Sequence, residues 1–337
     1  CKNQPVKIFG VVPSMVSLSP RFKTEAINRE QAKELLQRTD ILGLGEPYWL
    51  PVVEQEPRLL ELFEETLRAR KKITGHSAGA KGDKLVAYAA GGVCSCHEPI
   101  TAEEVRERLR LGMYVPAREG GIRKDLEAIA KIKDMGIDLH QFILASDGAS
   151  IQQVVEKGYM DVILQKAIGL GFDPITAIQM VTINPARYLN LEDHLGGIAP
   201  GKYADIVIIP DLKDIDAKYV ISNGRIVAQN KEPLVQPRKH VYPEWTGQNM
   251  RLSPVFTPED FMIRLPQTEK PAQVRVIAQV AELVTQEMYM EVPVRRGKVA
   301  ANPEQDLQKV VAIDFLSREG TKFVGLIKGF KLKKGAI

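Results

Sequence analysis

Short apolar runs of β-forming residues alternate with amphipathic helical patterns in the first half of the chain, and this alternation limits the folds available to it. The runs are VKIFGVV (6–12), ILGLGE (41–46), KITGHS (72–77), GVCSCHE (92–98), GMYVPARE (112–119) and QFILASD (141–147). Strands that alternate with helices form parallel sheets, because each crossover helix returns the chain to the same end of the sheet. The sequence therefore predicts an α/β fold.

The spacing of the runs favours one α/β architecture, the (β/α)8 TIM-type barrel. Polar residues near the ends of five successive runs, at positions 46, 76, 97, 119 and 147, follow one another at intervals of 30, 21, 22 and 28 residues. Such a barrel uses roughly 30 residues per strand–helix unit. A doubly wound open sheet is the alternative, but the sequence lacks the G-x-G-x-x-G or P-loop turn that usually accompanies it. Only six strands are visible, so we predict a barrel that is incomplete in this chain.

Turn signals and prolines divide the rest of the chain. The predicted segments are the barrel (1–190), a small β-sandwich domain segment (191–232), a linker (233–258) and a C-terminal α/β domain (259–337). Asn223–Gly224 is a strong signal for a two-residue β-hairpin within the small β domain. Five prolines mark the linker. The last 80 residues mix strand and helix patterns, which predicts a separate α/β unit.

Composition and charge exclude several classes of protein. The 337 residues carry a net charge of +4 and contain no Lys/Arg block of the kind that binds nucleic acid. No apolar run reaches the roughly 18 residues of a membrane-spanning helix, and the N-terminal sequence is unlike a signal peptide. Three cysteines give no disulfide framework. We therefore predict a cytoplasmic protein whose partners include neither nucleic acid nor membrane.

Residue types that bind metals lie at the predicted ends of these strands. They are Glu46, His76, His97, Glu98 and Asp147. The carboxyl ends of barrel strands meet on one face, where the active sites of such barrels are built. Histidine and carboxylate ligands without a thiolate suit Mn²⁺, Fe²⁺ or Zn²⁺. A divalent metal in such a site activates water, so the sequence predicts a hydrolytic metal site.

The segment VCSCHE (93–98) raises the alternative of a thiolate cluster. Successive side chains of a strand point to opposite faces, so His97 lies on one side of a regular strand while Cys94, Cys96 and Glu98 lie on the other. A cluster of both thiols with the histidine is therefore geometrically poor. We expect both cysteines to behave as buried apolar residues and not as metal ligands.

Each candidate also has a structural explanation when it is considered alone. A single histidine at a strand end is more often a hydrogen-bonded structural residue, Asp147 is a candidate turn residue or helix N-cap, and Glu46 before Pro47 is a candidate solvated carboxylate. However, strand alternation points Glu46, His76, His97 and Asp147 to the same inner face of the barrel. Four strands with this arrangement favour the metal site.

Long segments in a fixed order resemble the metal-dependent amidohydrolase superfamily and, within it, the microbial adenine deaminases. They include ILGLGEPYWLPVV (41–53), ITGHSAG (73–79), AYAAGGVCSCHEPITAEEVRERLRLGMYVPAREGG (87–121), FILASDGAS (142–150), DPITAIQMVTINPARYLNL (173–191), GGIAPGKYADIVIIPDL (196–212) and GLIKGFKLKKGAI (325–337). The resemblance implies that an activated water attacks C6 of the purine adenine to give hypoxanthine and ammonia. It also implies a binuclear site with Mn²⁺ or Fe²⁺, and we expect a homodimer.

The resemblance implies a role for each candidate metal ligand. Glu46 matches the carboxylate that bridges the two metals, and it would be catalytic as well. His76 and His97 match the histidine ligands of two successive strands. Asp147 matches the aspartate that binds metal and transfers the proton.

The resemblance also implies substrate-binding residues. Glu98 matches the glutamate of the family's His-Glu pair, and it is a candidate for substrate contact or for protonation of the ring nitrogen. Arg118 and Glu119 belong to the matching PAREGG segment (116–121), and we expect them to bind substrate with Glu98.

The sequence departs from the family pattern at several positions. Cys96 stands where the family has an aspartate, TGHSAG (74–79) replaces D-G-H-A-P-G, and SDG (146–148) replaces T-D-D. The family's His-x-His pair does not occur in the sequence. We expect the sequence to be an internal portion of a longer polypeptide or a truncated gene product. Two other functions stay open: a hydrolase of a different purine or cyclic amide, and a catalytically degenerate purine-binding protein.

Overall fold

Two compact units divide the chain. The computed structural model describes residues 4–15, 26–236, 239–244, 246, 256–265, 270–281, 284–314 and 322–332. One unit holds Cys1–Met15 and Ile27–Lys239, and the other holds Val16–Ala26 and His240–Ile337. The boundary after Lys239 falls inside the predicted linker. The boundaries of the four segments proposed from the sequence stay predictions.

Parallel strand segments follow one another in chain order through the first unit. The strands are β1 (Gly10–Pro13), β2 (Ile41–Gly45), β3 (Lys72–Ile73), β4 (Val115–Arg118) and β5 (Phe142–Ala145). β1 pairs with β2, β2 with β3 and β4 with β5, all in parallel. One parallel bridge joins Ile73 of β3 to Val93, and a second joins Ser95 to Tyr114, which directly precedes β4. The unit is therefore an α/β structure with the strand order of a TIM-type barrel.

Helices connect these strands and pack against them. They are α1 (Arg29–Leu36), α2 (Trp49–Val53), α3 (Pro57–Arg68), α4 (Asp83–Ala90), α5 (Ala102–Arg110), α6 (Leu126–Ile129), α7 (Ile151–Lys157), α8 (Met160–Gly169), α9 (Pro174–Gln179) and α10 (Ile183–Tyr188), with a 3-10 helix at Ala130–Asp134. Asn28 caps α1 by accepting a hydrogen bond from the Gln31 amide. Helices α7 and α8 are separate, because Gly158 lies between them at a φ of 98°.

Two apolar clusters bury the inner sides of these helices. One cluster joins Leu44 and Ile73 of the strands to Leu62 of α3 and Leu85 of α4. The other joins β4 and β5 to the helices that follow them. A fully buried leucine or isoleucine stabilises a fold by about 1.5–3 kcal/mol. Gly43 allows β2 and β3 to approach closely, since a Cβ at this position would lie 2.0 Å from Lys72 O.

A small antiparallel sheet follows the barrel-type segment. Its strands, in spatial order, are β6 (Ile206–Ile208), β7 (Tyr219–Ser222), β8 (Arg225–Gln229) and β9 (Glu232–Pro233). Asn223 and Gly224 have φ values of 49° and 76°, and Ser222 pairs with Arg225 across them. The predicted hairpin is thus confirmed. In the described part of 191–232 we find this one sheet, so the second layer of the predicted sandwich is not seen there.

The described strands of the second unit form two sheets. Its strands are β10 (Ile263–Arg264), β11 (Ala272–Ala281), β12 (Val284–Val292), β13 (Val294–Arg295), β14 (Lys298–Val299), β15 (Leu307–Ile313) and β16 (Lys322–Lys328). One sheet has the order β12–β11–β16–β15 and the other has the order β10–β14–β13. Their strands pair in antiparallel except for β11 and β16, which pair in parallel. The helical content among the described residues of this unit is short 3-10 turns, so the predicted α-helix is not found in this part. Across the described residues of both units, no helix has the length and apolar character needed to span a membrane.

Candidate metal centre

The carboxyl ends of successive strands bring the predicted metal ligands together. Ligand atoms of Glu46, His76 and His97 lie within 4.8 Å of one another. A second group at the same distance consists of His97, Glu98 and Asp147. The two groups share His97. All five strand-end residues predicted from the sequence therefore lie around one point, although their role as ligands stays a prediction.

Two of these carboxylates lie on backbone of unusual conformation. Glu46 has a φ of 49° and Asp147 has a φ of 46°. L-residues adopt this left-handed region rarely, and such strain concentrates at functional sites. The Glu46 amide is fixed by a hydrogen bond to Thr74 Oγ1 at 3.1 Å. Each sharp turn directs a carboxylate across the strand ends.

His76 is half-buried, and its backbone is tied to two neighbours. Its amide donates to Tyr88 Oη at 2.8 Å and, at 3.4 Å, to Pro47 O. Burial lowers the pKa of the imidazole, partly opposed by the charge of Glu98. A lowered pKa favours the neutral imidazole that metal ligation requires.

His97 lies between two carboxylates. Its Nε2 is 3.1 Å from Glu98 Oε1, and its Nδ1 is 4.0 Å from Glu46 Oε1. Its ring meets that of His76 edge to face at a centroid distance of 5.2 Å. Burial by itself would lower the pKa of His97, but the hydrogen bond and charges of Glu98 and Glu46 outweigh burial and raise it.

Glu98 is 5% exposed and is paired with a buried arginine. Arg118 Nη1 donates to Glu98 Oε1 at 2.7 Å and to Asp147 Oδ2 at 3.3 Å, while its Nε donates to Asp125 Oδ2 at 3.0 Å. Burial would raise the pKa of Glu98, but the hydrogen bond from His97 and the charges of His76 and Arg118 lower it. Glu98 is therefore held in its ionised form.

The prediction from strand alternation is wrong for the side chain of Glu98. Alternation places Glu98 on the face opposite His97, yet both side chains meet at the same site. The reason is that the strand pairing of 93–98 consists of single bridges at Val93 and Ser95 and ends before His97. Beyond the last bridge the chain is no longer a regular strand, so the two-residue period does not apply there.

The two cysteines lie outside both groups of metal-binding atoms. Cys96 is fully buried, and its sulfur accepts hydrogen bonds from Ser77 Oγ at 2.8 Å and from the Glu98 amide at 3.3 Å. Cys94 is half-buried, donates to Ile73 O at 3.2 Å, and has its pKa raised by burial. Cys96 is therefore packed as a small buried residue, as expected from the sequence, while Cys94 is only partly buried. That neither thiol binds a metal stays a prediction.

Glu119 is the one predicted site residue that the structure places elsewhere. Its Oε1 lies 2.9 Å from Lys166 Nζ, and it lines a cavity of about 410 Å³ with Ser146 and Tyr159. Arg118 and Glu119 are consecutive residues at the end of β4, so their side chains point to opposite sides. Arg118 therefore faces the cluster and Glu119 does not. A role for Glu119 in substrate binding stays a prediction.

Sequence reasoning missed the residues that support the cluster. Tyr88 is fully buried and bonds to the backbone of two strand ends, and Asp125 anchors Arg118 from the loop after β4. Tyr88 lies on α4, where an aromatic residue on the buried face is ordinarily part of the core. A polar atom on a buried side chain was the available signal, since such atoms require partners.

The donor set fits a divalent metal. His76 Nδ1 is buried and has no hydrogen-bond partner among the described residues, with the nearest Glu98 oxygen at 3.6 Å. An unpartnered buried nitrogen beside carboxylate oxygens and a second imidazole is a suitable arrangement for a cation. Nitrogen and oxygen donors are typical ligands of Zn²⁺, Mn²⁺ and Fe²⁺.

Two family models match the chain. The model described as "Amidohydrolase family" matches residues 23–227. The model described as "Adenine deaminase C-terminal domain" matches residues 282–337. Most of the described residues in this range belong to strands β12–β16 of the second unit. The first match covers more than half of the chain and includes every residue of the cluster.

Curated relatives match over the whole length of this chain. A protein named adenine deaminase from Clostridium botulinum is 37% identical over 342 aligned positions, which cover 100% of this chain and 57% of the relative. An adenine deaminase from Moorella thermoacetica is 35% identical with the same coverage. The chain therefore spans a little over half the length of the curated relatives it matches.

Solved structures show a more distant similarity. A β-aspartyl dipeptidase from Fervidobacterium islandicum is 15% identical, with a TM-score of 0.49 over 69% of this chain and 67% of that chain.

Proposed function

The chain belongs to the amidohydrolase family, and on that premise we propose that it acts as a metal-dependent adenine deaminase. The reaction is adenine plus water to hypoxanthine plus ammonia. The family is metal-dependent, and relatives with the name adenine deaminase align with the whole chain. The match to an adenine deaminase C-terminal domain supports the same activity.

One observation carries the proposal. Ligand atoms of Glu46, His76 and His97 converge within 4.8 Å, and Asp147 lies in the overlapping group. These four are the positions at which the sequence matches the metal ligands of the family. The convergence of residues from four strand ends supports a common site, because each of them has another explanation when it is considered alone.

Different residues of this chain would bind the metal and transfer the proton in the proposed reaction. Glu46, His76 and His97 would hold a divalent metal, which supplies Lewis acidity and lowers the pKa of bound water to about 7. Asp147 accepts a proton from the attacking water and passes it to the departing amino group. The oxygen of water forms a bond to C6 and the bond from C6 to the amino group breaks. One water proton completes the departing ammonia, and the other stays with the product hypoxanthine.

Glu98 and Arg118 would bind and orient the purine. The lowered pKa of Glu98 favours an ionised carboxylate, which accepts a hydrogen bond from a ring N–H and is poorly suited to donate a proton. Of the two roles implied by the family, substrate contact is therefore the one we propose. Arg118 fixes Glu98 and Asp147 relative to each other through Nη1.

Metal content and product analysis test the proposal. The purified chain is supplied with Mn²⁺, Fe²⁺ or Zn²⁺, bound ions are counted by elemental analysis, and ammonia and hypoxanthine are measured with adenine as substrate. Two ions per chain support a binuclear site. Light scattering tests the expected homodimer. The cytoplasmic location stays a prediction from cysteine content.

Matched carboxamide variants provide the control. We expect Glu46→Gln to reduce metal binding and ammonia release, while Glu54→Gln, at an exposed position on the surface, leaves both unchanged. Absence of ammonia at full metal occupancy would overturn the deaminase assignment. Ring opening of a cyclic amide without ammonia release would support the other amidohydrolase activity, and purine binding without turnover would support a degenerate member.

A further inference from the structure

Two hydroxyl groups bond to the backbone of the metal-binding cluster. They belong to Thr74, which follows β3, and to Tyr88 of α4. Each accepts a hydrogen bond from the amide of one predicted ligand and donates a hydrogen bond to a carbonyl of the β2 segment. The two contacts have the same form, although one hydroxyl comes from a strand end and the other from a helix.

Tyr88 joins the segments that follow β2 and β3. Its Oη accepts from the His76 amide at 2.8 Å and donates to Pro47 O at 2.5 Å. The side chain is fully buried, so water does not replace these partners. Gly75 leaves room for the hydroxyl, since a Cβ at Gly75 would lie 2.6 Å from Tyr88 Oη.

Thr74 makes the corresponding contact for the other ligand. Its Oγ1 accepts from the Glu46 amide and donates to Leu44 O, both at 3.1 Å. Glu46 has a left-handed backbone, and the contact from Thr74 holds the amide of this strained residue in place. The hydroxyl of Thr74, directly after β3, therefore fixes the backbone of Glu46. The hydroxyl of Tyr88, on α4, fixes the backbone of His76.

We propose that Tyr88 and Thr74 are positioning residues, whose hydroxyls set the separation of His76 and Glu46 in the metal site. The inference rests on the proposed metal site. Without the Tyr88 hydroxyl, the His76 amide retains Pro47 O, now 3.4 Å away, as its acceptor. The preferred N···O distance of an N–H···O hydrogen bond is about 2.9 Å. The two segments would therefore move together by about 0.5 Å, and His76 would shift relative to Glu46.

Co²⁺ binding to the metal-free chain tests this role. The affinity and the visible absorption spectrum of bound Co²⁺ are measured for wild type, Tyr88→Phe and Thr74→Val. Loss of outer residues that orient metal ligands lowers affinity about 10–100-fold. We expect a loss in this range for Tyr88→Phe, about tenfold for Thr74→Val, and a changed spectrum in both, because the spectrum reports ligand geometry and not fold stability.

Thr66→Val is the matched control. Thr66 is fully buried on α3, and its hydroxyl donates to Leu62 O of the same helix at 2.7 Å. The variant loses a buried hydroxyl but should bind Co²⁺ within twofold of wild type with the same spectrum. If Tyr88→Phe does not fold, Thr74→Val decides the question.

The outcomes separate this inference from the proposed function. Normal affinity and an unchanged spectrum in both Tyr88→Phe and Thr74→Val would overturn the positioning role and leave the metal site intact. An equal loss in Thr66→Val would also overturn it, since any buried hydroxyl would then have the same effect. Failure of the wild-type chain to bind Co²⁺ would overturn the metal site, and the inference with it.

Discussion

His97 Nε2 lies 3.1 Å from Oε1 of Glu98, the next residue in the sequence. The same carboxylate oxygen lies 3.6 Å from His76 Nδ1 and 2.7 Å from Arg118 Nη1. One buried oxygen thus faces two imidazoles and a guanidinium. The protonation of both histidines therefore depends on Glu98, and this dependence can be measured in the metal-free protein.

The two histidines should titrate in a defined order. Burial lowers the pKa of His76 below the usual 6.5, whereas the hydrogen bond and charges of Glu98 and Glu46 overcome burial and raise the pKa of His97 above that value. We expect NMR titration of the imidazole resonances in the metal-free chain to give the higher pKa for His97. Identical titration of the two rings, near 6.5, would contradict this assignment.

Glu98→Gln provides the comparison for this titration. Because the variant removes the carboxylate charge, we expect the pKa of His97 to fall, while Glu119→Gln should leave it unchanged since Glu119 faces Lys166. A raised folded-state pKa stabilises the fold fully below the unfolded value of 6.5, and the contribution is lost as pH rises through the folded-state pKa. The part of the free energy of unfolding that comes from protonated His97 is present below its folded-state pKa and absent above it. Glu98→Gln should therefore reduce this part of the stability at low pH and leave it unchanged at high pH.

Arg118 should be essential for the stability of the cluster. Its guanidinium is 3% exposed and pairs with the buried carboxylates of Glu98 and Asp125. Removal of one partner from a buried pair costs about 3–5 kcal/mol, because the other charge stays buried without compensation. We expect Arg118→Met to lower the free energy of unfolding by this amount in urea denaturation of the metal-free chain.

An exposed arginine offers the control. Arg38 pairs with Asp40 at 2.7 Å, but both side chains are exposed, and surface pairs contribute little. Arg38→Met should therefore change the denaturation midpoint far less than Arg118→Met. Similar losses for the two variants would show that the buried pairing does not stabilise the fold as described.

Local sequence patterns were sufficient to predict that the candidate metal ligands lie close together. Apolar runs and their spacing gave the strand order, and the strand ends then placed Glu46, His76, His97 and Asp147 together. These features depend on short stretches of chain. A parallel arrangement of strands places all carboxyl ends on one face whatever the details of packing.

The supporting contacts depend on tertiary packing and could not be predicted in this way. Glu98 was expected on the face of the cysteines, since a regular strand was assumed through His97, but the pairing ends at Ser95. The hydroxyl of Tyr88 reaches Pro47 O, and nothing in the sequence of α4 indicates that partner. The opposite directions of Arg118 and Glu119 follow from alternation only where the register of β4 is known.

Cys96 should be dispensable for metal binding. Its sulfur accepts a hydrogen bond from Ser77 Oγ and lies outside both groups of ligand atoms. Loss of the sulfur removes the acceptor of both the buried Ser77 hydroxyl and the Glu98 amide, at a cost of about 1–3 kcal/mol. We expect Cys96→Ala to lower the free energy of unfolding by about that amount and to retain Co²⁺ affinity within twofold. A thiolate-to-Co²⁺ charge-transfer band that disappears in the variant would contradict this prediction.

Glu46 should lower the stability of the metal-free fold while it supports metal binding. Its φ of 49° places an L-residue in the left-handed region, which costs about 1–2 kcal/mol, while glycine adopts it freely at an entropic cost of about 0.5–1 kcal/mol. The metal-free Glu46→Gly variant should therefore be at least as stable as wild type, yet bind Co²⁺ much more weakly. Glu54 is the matched position, since it ends α2 with an ordinary φ of −76°.

Glu54→Gly should show the opposite behaviour, because glycine adds backbone entropy to the unfolded chain and relieves no strain there. We expect a loss of about 0.5–1 kcal/mol in stability with normal Co²⁺ binding. Thermal denaturation of the metal-free variants, combined with Co²⁺ titration, measures both quantities. If Glu46→Gly were less stable than wild type by as much as Glu54→Gly, the left-handed backbone at Glu46 would not be strained.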